Sequence, residues 1–194
     1  MIASPVVKIP AAMRVSFQQF QQLVKANPDL CLELTAEGKL VAMSPTGGEQ
    51  GKLNAELTTD FVIWNRQTQL GVVFDSSTGF RLPSGAVRSP DVSWVETSRW
   101  EALTSEQRRG FAPLCPDFVL ELASESDDIE DLQAKMGEYL ENGARLGWLI
   151  DPRTRRVGVY RPGQPVETLQ APEVLSGEMV LPDLSFDLRV LYAD

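Results

Sequence analysis

The stretch Asp117-Phe118-Val119-Leu120-Glu121-Leu122-Ala123-Ser124, a polar turn, a helical segment and then Gly147-Trp148-Leu149-Ile150-Asp151 decides the fold. Phe118 to Ala123 is a near-continuous apolar run, the pattern of a strand covered on both faces. Asp127-Asp128-Ile129-Glu130 gives a helix start and Asn142-Gly143 a helix stop, so a helix is expected over about 127–142. With a second strand at 146–151 this is a βαβ unit, whose two strands run parallel. One residue breaks the apolar run: Glu121. A carboxylate in that position requires a cation or hydrogen bonds to compensate it.

Upstream, residues 1–15 read as a loose arm containing Pro5 and Pro10. Ser16 and Gln19 have the spacing of a capping box, and the helix they open ends at Asn27-Pro28. Leu30, Leu32 and Leu34 alternate with Cys31 and Glu33, and Ala36-Glu37-Gly38 turns this strand into a second one through Val41 and Met43. After the loop Pro45-Thr46-Gly47-Gly48, a second helix is expected from about Glu49 to Thr68, with Leu53, Leu57, Phe61 and Trp64 at helical spacing. Gly71–Phe74, Gly79–Leu82 and Ser89–Val95 read as strands, and 97–116 as irregular or helical. Val157–Tyr160 is a further strand, and the remainder is short strands and loops. The order predicts one α/β domain over 1–194: a mixed central sheet with helices on both sides.

Composition narrows the chemistry. The chain has 194 residues, 43% of them hydrophobic and 23% charged, as in ordinary globular proteins. No apolar run reaches the ~20 residues that span a bilayer, and the amino terminus lacks a basic segment before an apolar one. A cytoplasmic location without membrane association is therefore expected. There is no histidine. That removes Ser-His and Cys-His catalysis and His-bound zinc, leaving carboxylates and lysine for acid–base or metal work. Cys31 and Cys115 form no C-x-x-C pair and read as two buried, reduced thiols. A net charge of −9 argues against broad, non-specific nucleic-acid binding, although Arg145, Arg153, Arg155, Arg156 and Arg161 could line a local basic groove.

Three residues stand out on geometry. Asp91 follows Pro90 at the mouth of a strand, Glu121 lies in the buried strand, and Lys135 lies on the helix after it. From Glu121 to the strand end near Ser124 is roughly 10 Å at ~3.3 Å per residue. From Asp127 to Lys135 is roughly 12 Å at ~1.5 Å per residue. The returning helix thus brings Lys135 level with Glu121. An amine beside two carboxylates supplies the parts of a divalent-metal site with an adjacent cation, and Mg²⁺ suits oxygen ligands and phosphate substrates. The competing reading pairs Lys135 with Asp131 on the helix surface. The acids Asp127, Asp128, Glu130 and Asp131 are better explained as complements to the helix dipole.

Pro90-Asp91 followed by Glu121-Leu122-Ala123 resembles the PD-(D/E)XK nuclease superfamily. Met43–Gly48, Ser89–Trp94 and Gly143–Pro152 more closely resemble its Uma-type, restriction-endonuclease-like branch, a family common in cyanobacteria. The resemblance spans about residues 28–187. It implies an αβββαβ core in which Asp91 and Glu121 bind Mg²⁺, or Mn²⁺ in its place, with the backbone carbonyl of Leu122 as a further ligand. It also implies an acid on the early helix, either Glu49, favoured by its neighbours Gly47-Gly48, or Glu56. Ala123 stands where the superfamily has its lysine, and Lys135 is the natural replacement. The implied function is hydrolysis of phosphodiester bonds in DNA by an endonuclease acting as a homodimer. The alternatives are an inactive nuclease-fold module that binds a partner, and a structural homo-oligomer built on Trp94, Trp100 or Trp148.

Overall fold

Ser16 caps the first helix as its sequence predicts: its side chain accepts from the Gln19 backbone while the Gln19 side chain accepts from the Ser16 N–H. The computed structural model describes residues 12–43 and 47–192. Most of the expected amino-terminal arm, and Pro45-Thr46 of the expected loop, lie outside those residues. The chain runs α1 (Phe17–Ala26), β1 (Cys31–Leu34), β2 (Leu40–Met43), α2 (Gly48–Thr68), β3 (Gly71–Asp75), β4 (Phe80–Arg81), β5 (Val87–Arg88) and β6 (Val92–Glu96). It continues through α3 (Thr97–Glu101), α4 (Ser105–Arg109), β7 (Phe118–Leu122), α5 (Ile129–Glu141), β8 (Leu146–Asp151) and β9 (Arg156–Tyr160). Three short strands, β10 (Glu167–Gln170), β11 (Val174–Ser176) and β12 (Ser185–Asp187), precede a 3-10 turn at Leu188–Leu191.

The central sheet has the order β10-β9-β8-β7-β6-β3, with β7 and β8 parallel and the remaining neighbours antiparallel. Alternation sorts its side chains between two cores. Phe118, Leu120 and Leu122 join Val92, Trp94, Trp148 and Ile150 beneath Leu57, Phe61 and Trp64 of α2. Phe61 stacks on Phe118 at 5.1 Å between ring centroids, and Phe118 meets Trp148 edge-on at 4.9 Å. Such pairs contribute ~0.5–1.5 kcal/mol each beyond the area they bury. On the opposite face Val119, Val95 and Leu149 pack against Met136 and Tyr139 of α5. Glu121 belongs to this second face. Asp128 caps α5, and Gly143, at φ +107, turns the chain out of it.

A second sheet, β2-β1-β5-β4, carries α1. Its strand β5 is two residues long, too short to register as an alternating run in the sequence. Cys115 is buried as expected, but Cys31 is exposed at the start of β1. Trp94 and Trp148 are buried in the core, so neither can form an oligomer surface. The five candidate arginines are engaged internally: Arg145 with Glu96 and Asp117, Arg153 with Asp151, Arg155 over Tyr192, Arg156 with Gln170, and Arg161 with Glu167 and Glu178. Among the described residues no helix is long and apolar enough to cross a membrane.

Candidate active site

The site lies where β6 begins and β7 ends. Antiparallel pairing sets Val92 opposite Leu120, and continuing that register by one residue sets Asp91 opposite Glu121. Because β6 has not yet begun there, the backbone of Leu122 is satisfied by side chains. Its N–H donates to Asp91 Oδ2 at 2.8 Å, and its carbonyl accepts from Gln50 Nε2 at 2.9 Å. Asn54, one turn after Gln50 on α2, donates to Asp91 Oδ1 at 3.2 Å.

Lys135 reaches Glu121 from α5. Its Nζ lies 2.9 Å from Glu121 Oε1, and it makes no pair with Asp131. Tyr139, one turn later on the same helix, donates to that same oxygen at 2.9 Å. Ala123 is buried on the same face of the sheet, so the amine missing from its side chain arrives from the helix instead.

A residue that local pattern did not reveal completes the group: Glu33 of β1, only 3% exposed. Its Oε1 lies 3.0 Å from Lys135 Nζ and accepts from the Ser89 N–H at 2.8 Å. Its Oε2 takes Arg88 Nη1 at 3.0 Å, and Arg88 Nε pairs with Glu138 of α5. Leu34 pairs with Val87, so the same register sets Glu33 opposite Arg88. One signal for Glu33 exists in its partner strand. Leu40-Val41-Ala42-Met43 is apolar throughout, and Val41 is the residue that pairs with Glu33.

The electrostatics follow from burial and these pairs. Burial drives the Glu121 carboxyl up to about 7; Lys135 opposes the shift and Asp91 and Glu33 reinforce it. Burial likewise raises Asp91 above the usual carboxylate range, against the pull of the Leu122 N–H and Lys135. At Glu33 burial is outweighed by Lys135, Arg88 and the Ser89 N–H, and its carboxyl sits low. Burial disfavours the Lys135 ammonium, but Glu121 and Glu33 outweigh it, so it titrates above ordinary lysine.

The early-helix acids are placed differently from this group. Glu49 is exposed in the first turn of α2. Glu56 lies near Asp60, whose carboxyl is raised by burial, by Glu56 and by Asp187. The contacts from α2 to Asp91 and Leu122 come from the amides of Asn54 and Gln50.

The oxygens fit a hard divalent cation. Lys135 and Tyr139 both engage Glu121 Oε1, and among the described residues nothing donates to Oε2. Asn54 Oδ1, beside Asp91, is a buried acceptor without a hydrogen-bond partner. Among the described residues no three acidic or thiol side chains form a closed metal cage. Two carboxylates are the protein's usual share for Mg²⁺, which keeps several waters.

Residues 17–190 match the model of the family described as "Uma2: Putative restriction endonuclease". A crystal structure described as that of "a putative nuclease belonging to DUF820" from Anabaena variabilis has a TM-score of 0.77 to this fold. It is 21% identical, and the match covers 92% of this chain and 97% of that one. At that identity the likeness shows the fold. No curated protein matches the chain.

Proposed function

The chain belongs to the Uma2 family, and from that premise we propose that it is a Mg²⁺-dependent endonuclease hydrolysing phosphodiester bonds in DNA. Asp91 and Glu121 would hold the ion, with the Leu122 carbonyl as a third donor once Gln50 yields or shares it. Mn²⁺ would substitute. The observation that carries the reading is Glu121, a carboxylate 4% exposed inside an apolar strand, opposite Asp91 and 2.9 Å from Lys135. Two like charges side by side, one of them buried, are unfavourable unless cations complete them.

When bound, the ion supplies positive charge for the scissile phosphate and lowers the pKa of water. The chain's own part is positional. Glu33 and Glu121 take two of the three Lys135 N–H donors. The third is available to an oxygen of the attacking water or the phosphate. Held as an ammonium, Lys135 orients that oxygen and stabilises charge on it; it does not accept the proton. The amides of Asn54 and Gln50 fix Asp91 and the end of β7 without adding negative charge. A duplex offers two strands, and a two-fold pair of these chains would present one site to each.

Purified protein incubated with Mg²⁺ or Mn²⁺ and with plasmid, linear duplex and single-stranded DNA tests the proposal. Wild type should cleave at least one form and Asp91→Ala none; equal background from both removes the enzymatic claim.

One observation favours the second reading, an inactive module. Lys135 already compensates Glu121 internally, and the net charge is −9. Under that reading Mn²⁺ leaves the melting temperature unchanged. A rise in wild type that Glu121→Gln abolishes counts against it.

A further inference from the structure

Glu33 lies outside the carboxylate pair assigned to the ion, on a different sheet, yet shares the ammonium of Lys135 with Glu121. The two ends of this bridge differ in what holds them. Glu33 is fixed by the Ser89 N–H at 2.8 Å and by Arg88 at 3.0 Å, and Arg88 is fixed in turn by Glu138. Every oxygen of Glu33 is thus committed to a donor of the protein. Glu121 has one oxygen on Lys135 and Tyr139, and no donor of the described residues on the other.

A divalent ion arriving at Glu121 competes with Lys135 for the same carboxylate and repels the ammonium. With Glu121 as its only anion, Lys135 would be expelled from the site as the ion entered. Glu33 changes that outcome, because its hold on Nζ does not depend on Glu121. We propose that Glu33 is a positioning residue: it retains Lys135 beside the ion when Glu121 turns to the metal. One N–H stays on Glu33, and the donor released by Glu121 joins the third one in facing the reacting oxygens. The α1–hairpin unit therefore belongs to the active site as the support of its lysine. This rests on the nuclease reading for its purpose, but the anchoring itself can be measured without catalysis.

The experiment follows the side-chain ammonium of Lys135 by ¹⁵N NMR of lysine-labelled protein, with Lys135→Met giving the assignment. An ammonium held by buried acceptors exchanges slowly enough to be seen. Glu121→Gln removes the charge that Glu121 offers the lysine, as its engagement with an ion would. The signal should persist in Glu121→Gln and disappear in Glu33→Gln/Glu121→Gln. Loss in Glu121→Gln alone, or persistence in the double variant, overturns the proposal. Loss of the signal in the single Glu121 variant overturns the proposal even if the double variant does not fold.

A second arm ties the anchor to turnover. Glu33→Gln should bind Mn²⁺ within about threefold of wild type, because Glu33 is not a ligand. Its kcat should fall at least tenfold, to the level of Lys135→Met, and combining the two changes should add nothing. Multiplying effects would mean that Glu33 acts independently of Lys135, which also overturns the proposal. If wild type neither binds Mn²⁺ nor cleaves DNA, the nuclease reading fails while the ammonium spectra still decide the anchor.

Discussion

Asp91 stands opposite Glu121, one step beyond the last paired residues of β6 and β7. The ladder itself forces the two carboxylates together, since a one-residue slip would turn every core side chain of β7 to the wrong face. Their proximity and burial leave a mark on stability. The Glu121 carboxyl is raised from 4.5 to about 7, by burial first, and Asp91 is raised in the same direction.

An acid raised on folding stabilises the protein fully below its unfolded pKa, and that contribution is lost as pH rises through the folded value. For Glu121 the window runs from 4.5 to about 7. The loss is on the order of 3 kcal/mol. Glu33, held low, titrates below this window and works in the opposite sense. Urea unfolding in EDTA should therefore show stability falling across that interval, and Glu121→Gln should flatten the slope. A wild-type profile as flat as the variant's would refute the assignment.

Lys135 is the cation shared by two buried carboxylates. Removing one partner of a buried pair leaves an uncompensated charge and costs about 3–5 kcal/mol. Lys135→Met should lose stability of that order in metal-free protein. Lys135→Met/Glu121→Gln should regain more than half, because one of the orphaned charges is gone. Calorimetric melts that find the double variant less stable than the single one would show that the charges do not dominate.

The Glu121–Lys135 pair was legible because strand and helix rises convert sequence separation into distance. A strand of three residues and a helix of eight return to one level, and the two side chains meet at 2.9 Å. Glu33 was not legible in the same way. The alternation Leu32-Glu33-Leu34 reads as a hairpin with one wet face, yet Glu33 is buried and meets Lys135 of α5 and Arg88 of β5 there. Gln50 and Asn54 gave no sequence signal at all, since neutral amides on a helix are usually solvated. The two-residue strand β5, which supplies Arg88, is too short for any periodicity.

The two thiols should separate cleanly by reactivity. Burial pushes Cys115 from 9.0 up to about 12, and its Sγ lies 3.5 Å from the Tyr139 carbonyl, whereas Cys31 is exposed. The reactive species is the thiolate, so Cys115 stays inert near neutral pH. Iodoacetamide should label the native protein at Cys31 alone and both cysteines after unfolding. Mass spectrometry of tryptic peptides reads the result. Comparable labelling of Cys115 in native protein would contradict its burial.

Gly71 fixes β3 against β6, the strand that begins one residue after Asp91. Asn65, near the end of α2, accepts from the Gly71 N–H at 3.2 Å, donates to its carbonyl at 2.8 Å and accepts from Trp94 Nε1 at 2.9 Å. A Cβ at Gly71 would collide with the Trp94 indole and the Val95 carbonyl oxygen, neither of which can move without disturbing this clamp. At Gly147 the collision is with Met136 Cε, the far end of a flexible side chain. Gly71→Ala should therefore cost about 3 kcal/mol, and Gly147→Ala about 1 kcal/mol. Urea midpoints at constant m-value give both numbers. Equal losses would mean that the backbone near Trp94 yields as readily as a thioether, and that β6 is not held in register by this glycine.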